Sequence, residues 1–176
     1  MPALLVIGGG VVGSATAFFA ARRGFQCTVL EARSAPASFT TAVAAGGYRL
    51  QLEHADELPL VRRSLQLFQR FEAETGQSEH AAGLQPRGYL WLTTERETAE
   101  QQRALVDRQR SWGVDGVELL SGDAVRERFP WVSPDVIHAR FRAQDGLLDP
   151  VAISRGLLAS SGAEVITDCR AIGFDV

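Results

Sequence analysis

The chain has 176 residues, 45% of them hydrophobic, which suffices for one well-filled domain or for parts of two. Its formal net charge of -3 shows no basic excess, so composition argues against nucleic acid or an anionic membrane as a partner. All 18 basic residues are Arg, so this segment contains no catalytic lysine.

Cysteine and histidine are sparse and scattered. Cys27 and Cys169 form no CxxC motif and are too few for a disulfide framework, so we expect two buried, unreactive thiols. His54, His80 and His138 lie in unrelated contexts at spacings that match no metal-binding motif. The sequence therefore predicts no metal site.

No targeting or membrane segment is predicted. Met1 runs directly into a strand pattern without a charged leader, and the apolar run at 8–21 is rich in glycine and too short to span a bilayer. We therefore expect a cytoplasmic protein with no membrane span.

The N-terminal region has the pattern of a βαβ unit. An apolar run is followed by a glycine cluster, a stretch with Ala and Phe at helical spacing, a second apolar run and an acidic residue. The predicted elements are a strand at 3–7 buried on both faces, a helix at 14–23 closed by Gly24, and a strand at 26–30 followed by Glu31.

The rest of the chain mixes helical and strand patterns. Residues 34–50 are small and irregular and predict a long loop. A helix then begins near Pro59, carries Leu60, Leu67 and Phe71 on one face, and ends at Gly76. The later predictions are strands at 88–93, 117–120, 136–142 (with one exposed face) and 164–168, and helices capped by Thr94, Ser121 and Asp149 that stop at Gly113, Pro130 and Gly162.

We therefore predict an α/β protein in which a Rossmann-like βαβ unit is interleaved with an α+β domain. The expected boundaries are 1–48 and 146–176 for a partial, discontinuous nucleotide-binding domain, and 49–145 for a segment of a substrate domain. The chain ends just after a predicted strand, so we expect an N-terminal half completed by a missing C-terminal half or a partner subunit. Because such a half exposes apolar surface, poor solubility is also expected.

Two further segments are interpreted as structural. Asp145-Gly146 and Asp149-Pro150 predict a turn and a helix cap, where the chain returns to the nucleotide-binding domain. Trp91 belongs to a predicted strand, and we expect it in the core of a sheet, with a substrate-facing aromatic as the alternative.

Gly8, Gly10 and Gly13 form a GxGxxG motif between the first strand and the first helix. Gly8 allows a tight turn, Gly10 lets the backbone approach a pyrophosphate, and Gly13 lets the helix pack closely on the strand. The N–H groups at the helix start, including those of Val11 and Val12, and the helix dipole favour phosphate charge there. The motif therefore predicts a dinucleotide site.

Glu31 follows Gly13 by eighteen residues, at the end of the second strand. A carboxylate there accepts hydrogen bonds from ribose hydroxyls and repels a 2′-phosphate, so NADP is disfavoured despite the nearby Arg33. The motif alone leaves FAD and NAD open. NAD dehydrogenases usually continue directly into further βα units, whereas here a loop of small residues at 38–47 follows, which favours FAD.

Several segments, taken in chain order, carry a family resemblance. The more discriminating are GGYR at 46–49 and DGLLDP at 145–150; the others lie at 6–32, 38–52, 87–93, 128–132 and 162–172. Together they resemble the FAD-dependent oxidoreductases of the D-amino-acid oxidase type, which include glycine oxidase and sarcosine oxidase. The resemblance covers nearly all of the chain but only half of a typical member.

The resemblance implies where FAD binds. The glycine motif holds the pyrophosphate, the acid after the second strand holds the ribose, and the loop of small residues runs under the pyrophosphate and isoalloxazine. Arg49 resembles a basic residue near the flavin ring, where a cation stabilises negative charge on reduced flavin, with an ordinary surface arginine as the alternative. The implied FAD-binding residues are Gly8, Gly10, Val11, Val12, Gly13, Glu31, Ala32, Arg33, Thr40, Thr41, Gly46, Gly47, Arg49 and Ala171.

The resemblance also implies an activity, the oxidation of the C–N bond of a small amine or amino acid by hydride transfer to flavin. Substrate positioning rather than a protein nucleophile carries such chemistry, and no catalytic residue is assigned. Ala44 and Ala45 stand where some relatives attach FAD through a histidine, so non-covalent FAD is expected from this half. The alternatives are a non-catalytic nucleotide-binding fragment or assembly-factor-like protein, and an NAD-dependent dehydrogenase.

Overall fold

Helices and strands are interspersed along residues 1–173, the part of the chain that the computed structural model describes. In chain order the elements are β1 (Ala3–Ile7), α1 (Val11–Ala21), β2 (Gln26–Leu30), α2 (Thr40–Val43), β3 (Gly47–Tyr48), α3 (Leu58–Gln69), α4 (Phe71–Thr75), β4 (Tyr89–Thr93), α5 (Arg96–Ser111), β5 (Val117–Ser121), α6 (Gly122–Arg128), β6 (His138–Arg142), β7 (Gly146–Leu147), α7 (Pro150–Ser161) and β8 (Glu164–Ile166). Single 3₁₀ turns lie at Ala55–Glu57 and Ser78–His80.

These elements form two units. The first contains Met1–Gly46, Gln66–Leu84 and the described residues from Leu148 onward, and the second contains Gly47–Leu65 and Gln85–Leu147. Residues 66–84 thus belong to the first unit, although the expected boundaries placed all of 49–145 in the second domain.

The first unit is built on a parallel sheet with the strand order β1-β2-β8. Helices α1 and α7 cover one face of this sheet, and the residues buried between them are Val6, Ala17, Cys27, Val29 and Leu158. The predicted βαβ unit is confirmed, because β1, α1 and β2 follow one another and the two strands pair in parallel. Cys27 is buried as expected, whereas Cys169 is only partly buried.

The opposite face of this sheet is open within the described residues. Side chains alternate across a strand, so Leu5 and Ile7 point away from the helix-covered face and remain 56% and 49% exposed. Ile166 on β8 is 39% exposed. The expectation that β1 is buried on both faces is therefore wrong for this chain, and the first unit carries an apolar, uncovered sheet face.

Two predicted elements between 34 and 76 differ in the structure. The expected long loop contains α2 and the two-residue strand β3, which pairs with β7. The expected single helix breaks at Arg70 (φ -113, ψ 24) into α3 and α4. Leu60 is 73% exposed while Leu58 is buried, so the predicted apolar face was wrong at its first turn.

The second unit contains an antiparallel sheet with the strand order β4-β6-β5. One core of this unit contains Leu50, Leu52, Leu58, Val106, Val114 and Val117, and a smaller one contains Val125, Val132, Val136 and Ala139. The prediction of an exposed face for 136–142 is wrong. Side chains alternate between the two faces of a strand, and Ala139, Arg140, Phe141 and Arg142 are all buried, so both faces of β6 are covered.

Two of the three predicted side-chain helix caps are confirmed. The carboxylate of Asp149 accepts hydrogen bonds from the N–H groups of Val151 and Ala152 at 2.9 Å, and Ser121 accepts one from Ala124. The capping box at Thr94 is wrong, because α5 begins at Arg96 without a side-chain cap.

The Asp145 carboxylate is an internal anchor of the second unit. It is fully buried, pairs with Arg142, and accepts hydrogen bonds from the N–H of Leu50 at 3.0 Å and from the amide of Gln51 at 3.2 Å. Burial and, secondly, the charge of Asp145 raise the pKa of Tyr48, against the opposing effect of Arg142. The predicted turn therefore also holds the segment after β3 through its carboxylate.

No helix within residues 1–173 combines the length and the apolar character needed to cross a membrane. The same residues contain no group of three or more His, Cys, Asp or Glu side chains that could hold a metal ion.

The cap of α7 gives a quantitative test of the fold. Replacing Asp149 with Ala leaves the N–H groups of Val151 and Ala152 without their acceptor, and we expect a loss of about 1 kcal/mol in the free energy of unfolding. Urea denaturation followed by circular dichroism measures it. As the matched control, Asp107→Ala removes only an exposed ion pair to Arg110 and is expected to change stability by less than about 0.5 kcal/mol; equal losses in both variants would contradict the cap.

Candidate functional site

The turn between β1 and α1 forms the base of a site in the first unit. Gly8 donates its N–H to the carbonyl of Leu30 at 2.8 Å, which ties the turn to the end of β2. A Cβ on Gly13 would overlap the carbonyl oxygen of Gly8. Helix α1 can therefore begin directly on this turn only because position 13 has no side chain.

The N-terminus of α1 presents backbone donors. Gly10 is the N-cap and supplies no side-chain acceptor. The N–H of Val11 donates to the hydroxyl of the buried Thr41 at 3.1 Å, whereas the N–H groups of Val12 and Gly13 have no acceptor among residues 1–173. Two free donors and the positive end of the helix dipole make this point suitable for an anion.

Glu31 is held in a defined orientation beside the turn. One carboxylate oxygen accepts the N–H of Gly9 at 2.8 Å, and the other accepts the N–H of Arg33, also at 2.8 Å. Each oxygen of an ionised carboxylate can accept a further hydrogen bond. The side chain is only partly buried, so Glu31 can still accept bonds from a ligand while bracing the glycine turn.

A cavity of about 180 Å³ opens beside these groups. Its lining residues are Gly10, Glu31, Arg33, Ala37, Ser38, Phe39, Thr40 and Thr41. The cavity thus unites the N-cap of α1, the carboxylate after β2 and the hydroxyl-bearing loop, three features that are separated in the sequence.

The sequence placed the loop at 38–47 beside the cofactor, but it did not single out Ala37, Ser38 or Phe39, which line this wall. Ala37 has φ 57, a left-handed conformation that costs a residue with a Cβ of order 1 kcal/mol, and its N–H donates to the carbonyl of Gly9 at 3.0 Å. The guanidinium of Arg33 lies 4.0 Å from the ring centre of Phe39, which is 62% exposed. In the sequence, the aromatic Phe39 six positions after the basic Arg33 was a signal that could have indicated this contact.

The predicted loop glycines Gly46 and Gly47 lie in different units, and each has contacts within its own unit. Gly46, in the first unit, has φ +70, and a Cβ there would overlap the carbonyl oxygen of Leu148, whose N–H donates to the carbonyl of Gly46 at 2.9 Å. Gly47 lies in β3 of the second unit. Neither lines the 180 Å³ cavity.

Seven other predicted residues are also not among the lining residues of the cavity, namely Gly8, Val11, Val12 and Gly13 at the turn and the start of α1, and Ala32, Arg49 and Ala171. Ala32 and Ala171 are exposed, and the segment before Ala171 runs beside the end of β2, where Cys169 donates its N–H to the carbonyl of Glu31 at 2.9 Å. Arg49 belongs to the second unit, where its guanidinium carbon lies 5.5 Å from the ring centre of Tyr89.

A comparison with known protein families identifies the family to which this chain belongs. Residues 3–176 match the family described as FAD dependent oxidoreductase. The chain belongs to this family. The α/β fold class and the predicted resemblance are therefore confirmed, and the NAD-dependent alternative is disfavoured.

Curated relatives of this chain are much longer proteins. The rat mitochondrial dimethylglycine dehydrogenase is 29% identical over 161 residues, covering 87% of this chain and 18% of the relative. The human mitochondrial sarcosine dehydrogenase is 28% identical over 179 aligned residues, covering 98% of this chain and 19% of the relative. The chain thus spans about a fifth of either relative.

Solved structures share the fold of the FAD-family chain. Glycine oxidase from Bacillus cereus superposes with a TM-score of 0.79 at 27% identity, over 95% of this chain and 46% of the other. L-Proline dehydrogenase from P. horikoshii gives 0.79 at 26% identity, over 94% of this chain and 44% of the other. The chain spans somewhat less than half of each.

The second and third glycines of the motif, Gly10 and Gly13, are expected to respond differently to replacement by alanine. In Gly13→Ala the Cβ meets the Gly8 carbonyl, so we expect a loss of several kcal/mol in stability or failure to fold. Gly10 has ordinary helix-entry angles (φ -76, ψ -177), and its Cβ would lie 3.3 Å from the Thr41 hydroxyl oxygen, so Gly10→Ala should fold and lose mainly anion affinity. Thermal unfolding of both variants measures the difference, and equal stability would contradict this geometry.

Proposed function

We propose that this chain supplies the FAD-binding site and part of the substrate domain of an enzyme that oxidises the C–N bond of an amino acid or secondary amine. The observation that carries the proposal is the cavity at the start of α1, lined by Glu31, Arg33, Phe39 and several small residues, in a member of the FAD-dependent oxidoreductase family. The activity of the whole enzyme is part of the proposal, because the chain spans less than half of its solved relatives.

The residues present fit the parts of FAD. The free N–H groups of Val12 and Gly13 and the helix dipole suit the pyrophosphate, which the absence of a Cβ on Gly10 allows close to the backbone. The remaining lone pairs of Glu31 suit ribose hydroxyls. Arg33 and Phe39, stacked at the rim of the same cavity, suit the adenine.

The chain's own residues contribute binding and orientation. Bound FAD supplies the acceptor for the hydride equivalent that leaves the C–N carbon of the substrate. Thr41 fixes the first N–H of α1 and Glu31 braces the glycine turn, so the donors aimed at the cofactor are held before it binds. We assign no side chain of this chain to proton transfer, because substrate positioning is the expected source of catalysis.

The substrate class is supported by the relatives. The enzymes similar to this chain are dehydrogenases of dimethylglycine, sarcosine and L-proline and an oxidase of glycine. All four compounds are amino acids in which a carbon–nitrogen bond lies next to a carboxylate. We therefore propose a small amino acid or N-alkylated amino acid as the substrate.

We assign most of the cofactor contacts to the first unit, and the substrate contacts to the second. The predicted FAD-binding residues Gly8, Gly10, Glu31, Arg33 and Thr41 all lie in the first unit. Gly47 and Arg49 lie in the second, and we retain them, together with Ala171, as proposed FAD contacts of the complete enzyme. A missing C-terminal half or partner subunit is proposed to complete both domains.

The mode of attachment and the compartment are also proposals. Ala44 and Ala45 carry no group that can bond covalently to flavin, which supports non-covalent FAD in this half. The cytoplasm remains our proposed compartment, although the curated dehydrogenase relatives are mitochondrial.

Uptake of FAD by the purified 176-residue chain tests the cofactor assignment. We expect the flavin absorption bands to appear on addition of FAD and to survive desalting, and to be lost on acid precipitation if attachment is non-covalent. A chain that remains colourless would contradict FAD binding by this segment and favour the non-catalytic fragment.

Glu31→Gln provides the residue-level test. The amide keeps the size of the side chain but loses its charge and half of its acceptors, so we expect FAD affinity to fall by about 10- to 100-fold, the equivalent of one or two charge-assisted hydrogen bonds. Quenching of flavin fluorescence measures the affinity. The control Glu100→Gln, on the exposed side of α5, should bind as the parent does; an unchanged affinity in Glu31→Gln would contradict the assigned role.

A further inference from the structure

One face of the sheet in the second unit carries a buried cation without a hydrogen-bond partner. Arg140 on β6 stands opposite Trp91 on β4 in the register of the sheet, and its exposed fraction is 0%. Its Nε, Nη1 and Nη2 atoms are all buried and have no hydrogen-bond partner among residues 1–173. A buried guanidinium in this state destabilises the fold unless an acceptor reaches it.

The guanidinium of Arg49 also lies against the indole ring of Trp91. The Cζ atom of Arg140 lies 5.2 Å from the Trp91 ring centre, and the Cζ atom of Arg49 lies 5.3 Å from it. The Nε of Arg49 and the indole Nε1 of Trp91 are likewise buried without a partner among the described residues. The Arg49–Trp91–Arg140 cluster therefore offers N–H donors from three side chains and contains no acceptor of its own.

The surrounding carboxylates do not neutralise this cluster. Asp145 is already bonded to Arg142, Leu50 and Gln51, and Glu53 is exposed. Burial lowers the pKa of Arg140 to about 10; the charge of Glu53 raises that pKa, the charge of Arg49 lowers it, and Asp145 raises it. Arg140 is therefore protonated at neutral pH, beside a second cation.

A planar monoanion matches these donors. Guanidinium groups bind carboxylates through two parallel N–H···O bonds, and such charge-assisted bonds are strong where water is excluded. Two cations with one nearby exposed carboxylate leave a single positive charge in excess, which a carboxylate balances. A phosphate dianion would bring more charge than the cluster compensates.

We propose that the Arg49–Trp91–Arg140 cluster binds the carboxylate group of a small organic acid. In the complete enzyme that acid is the amino-acid substrate, an extension that rests on the proposed function. The binding of a carboxylate itself depends only on the second unit and needs no flavin.

The experiment measures thermal unfolding of the full chain without FAD, at constant ionic strength, in the presence of three probes. Acetate carries a carboxylate alone, N-methylglycine carries a carboxylate and an amine, and methylammonium chloride carries the amine alone. We expect both carboxylates to raise the midpoint of unfolding by at least about 2 °C at saturation and methylammonium to leave it unchanged. In a W112F/W131F background, Trp91 fluorescence should titrate over the same concentrations.

Variants of Arg140 locate the effect. Arg140→Met should abolish the response to acetate while unfolding at the parent's midpoint or above it, because an unpaired buried charge is removed. Arg140→Lys keeps a charge without the planar fork and should weaken acetate binding about tenfold or more; it also serves if the Met variant fails to fold. The exposed Arg63→Met is the matched control and should respond as the parent does.

Three results would overturn the proposal or its extension. No response of the parent chain to either carboxylate overturns the site. A strong loss of stability in Arg140→Met with no acetate effect in the parent means that Arg140 is bonded internally, for example to the buried and unpartnered Oε1 of Gln51. A response to acetate but not to N-methylglycine supports the site and overturns the amino-acid assignment. Because FAD is absent throughout, these outcomes can be interpreted even if the chain fails to take up flavin in the test of the proposed function.

Discussion

The carboxylate of Glu31 connects the parts on which the candidate cofactor site depends. It lies after β2, and its two oxygens accept the N–H groups of Gly9 and Arg33, so it ties the glycine turn to the end of the second strand. The start of α1 is seated on that turn through the contact of Gly13 with Gly8. Gly10 at the start of α1, Glu31, Arg33 and the loop at 37–41 line the cavity beside this turn.

The second unit uses buried charge in two opposite ways. Asp145 is surrounded by donors and joins β6 to the segment after β3, so its burial is compensated. Arg140, five positions earlier on the same stretch of chain, lies against the ring of Trp91 and has no hydrogen-bond partner among residues 1–173. A buried charge that lacks a partner destabilises a fold, and such groups are enriched at functional sites. The contrast within one unit is the reason that we read Asp145 as structural and Arg140 as functional.

The uncovered sheet face of the first unit is consistent with the short span of the chain relative to its solved relatives. Parallel sheets in α/β proteins are normally covered on both faces, but here α1 and α7 both pack on one side, leaving Leu5, Ile7 and Ile166 exposed. The chain spans under half of its solved relatives, so these side chains belong to a surface that the complete enzyme is proposed to cover.

The sequence by itself determined the βαβ unit, the positions of Gly8, Gly10, Gly13 and Glu31, and the caps at Ser121 and Asp149, because these features depend on local backbone conformation and on contacts between near neighbours. It could not show that the face carrying Leu5 is open or that β6 is the central strand, since both depend on which distant elements pack where. The tertiary structure alone decided that Phe39 joins the cavity wall and that Arg49 and Arg140 meet on one indole. Periodicity records which side chains are apolar, but only packing decides what each one faces.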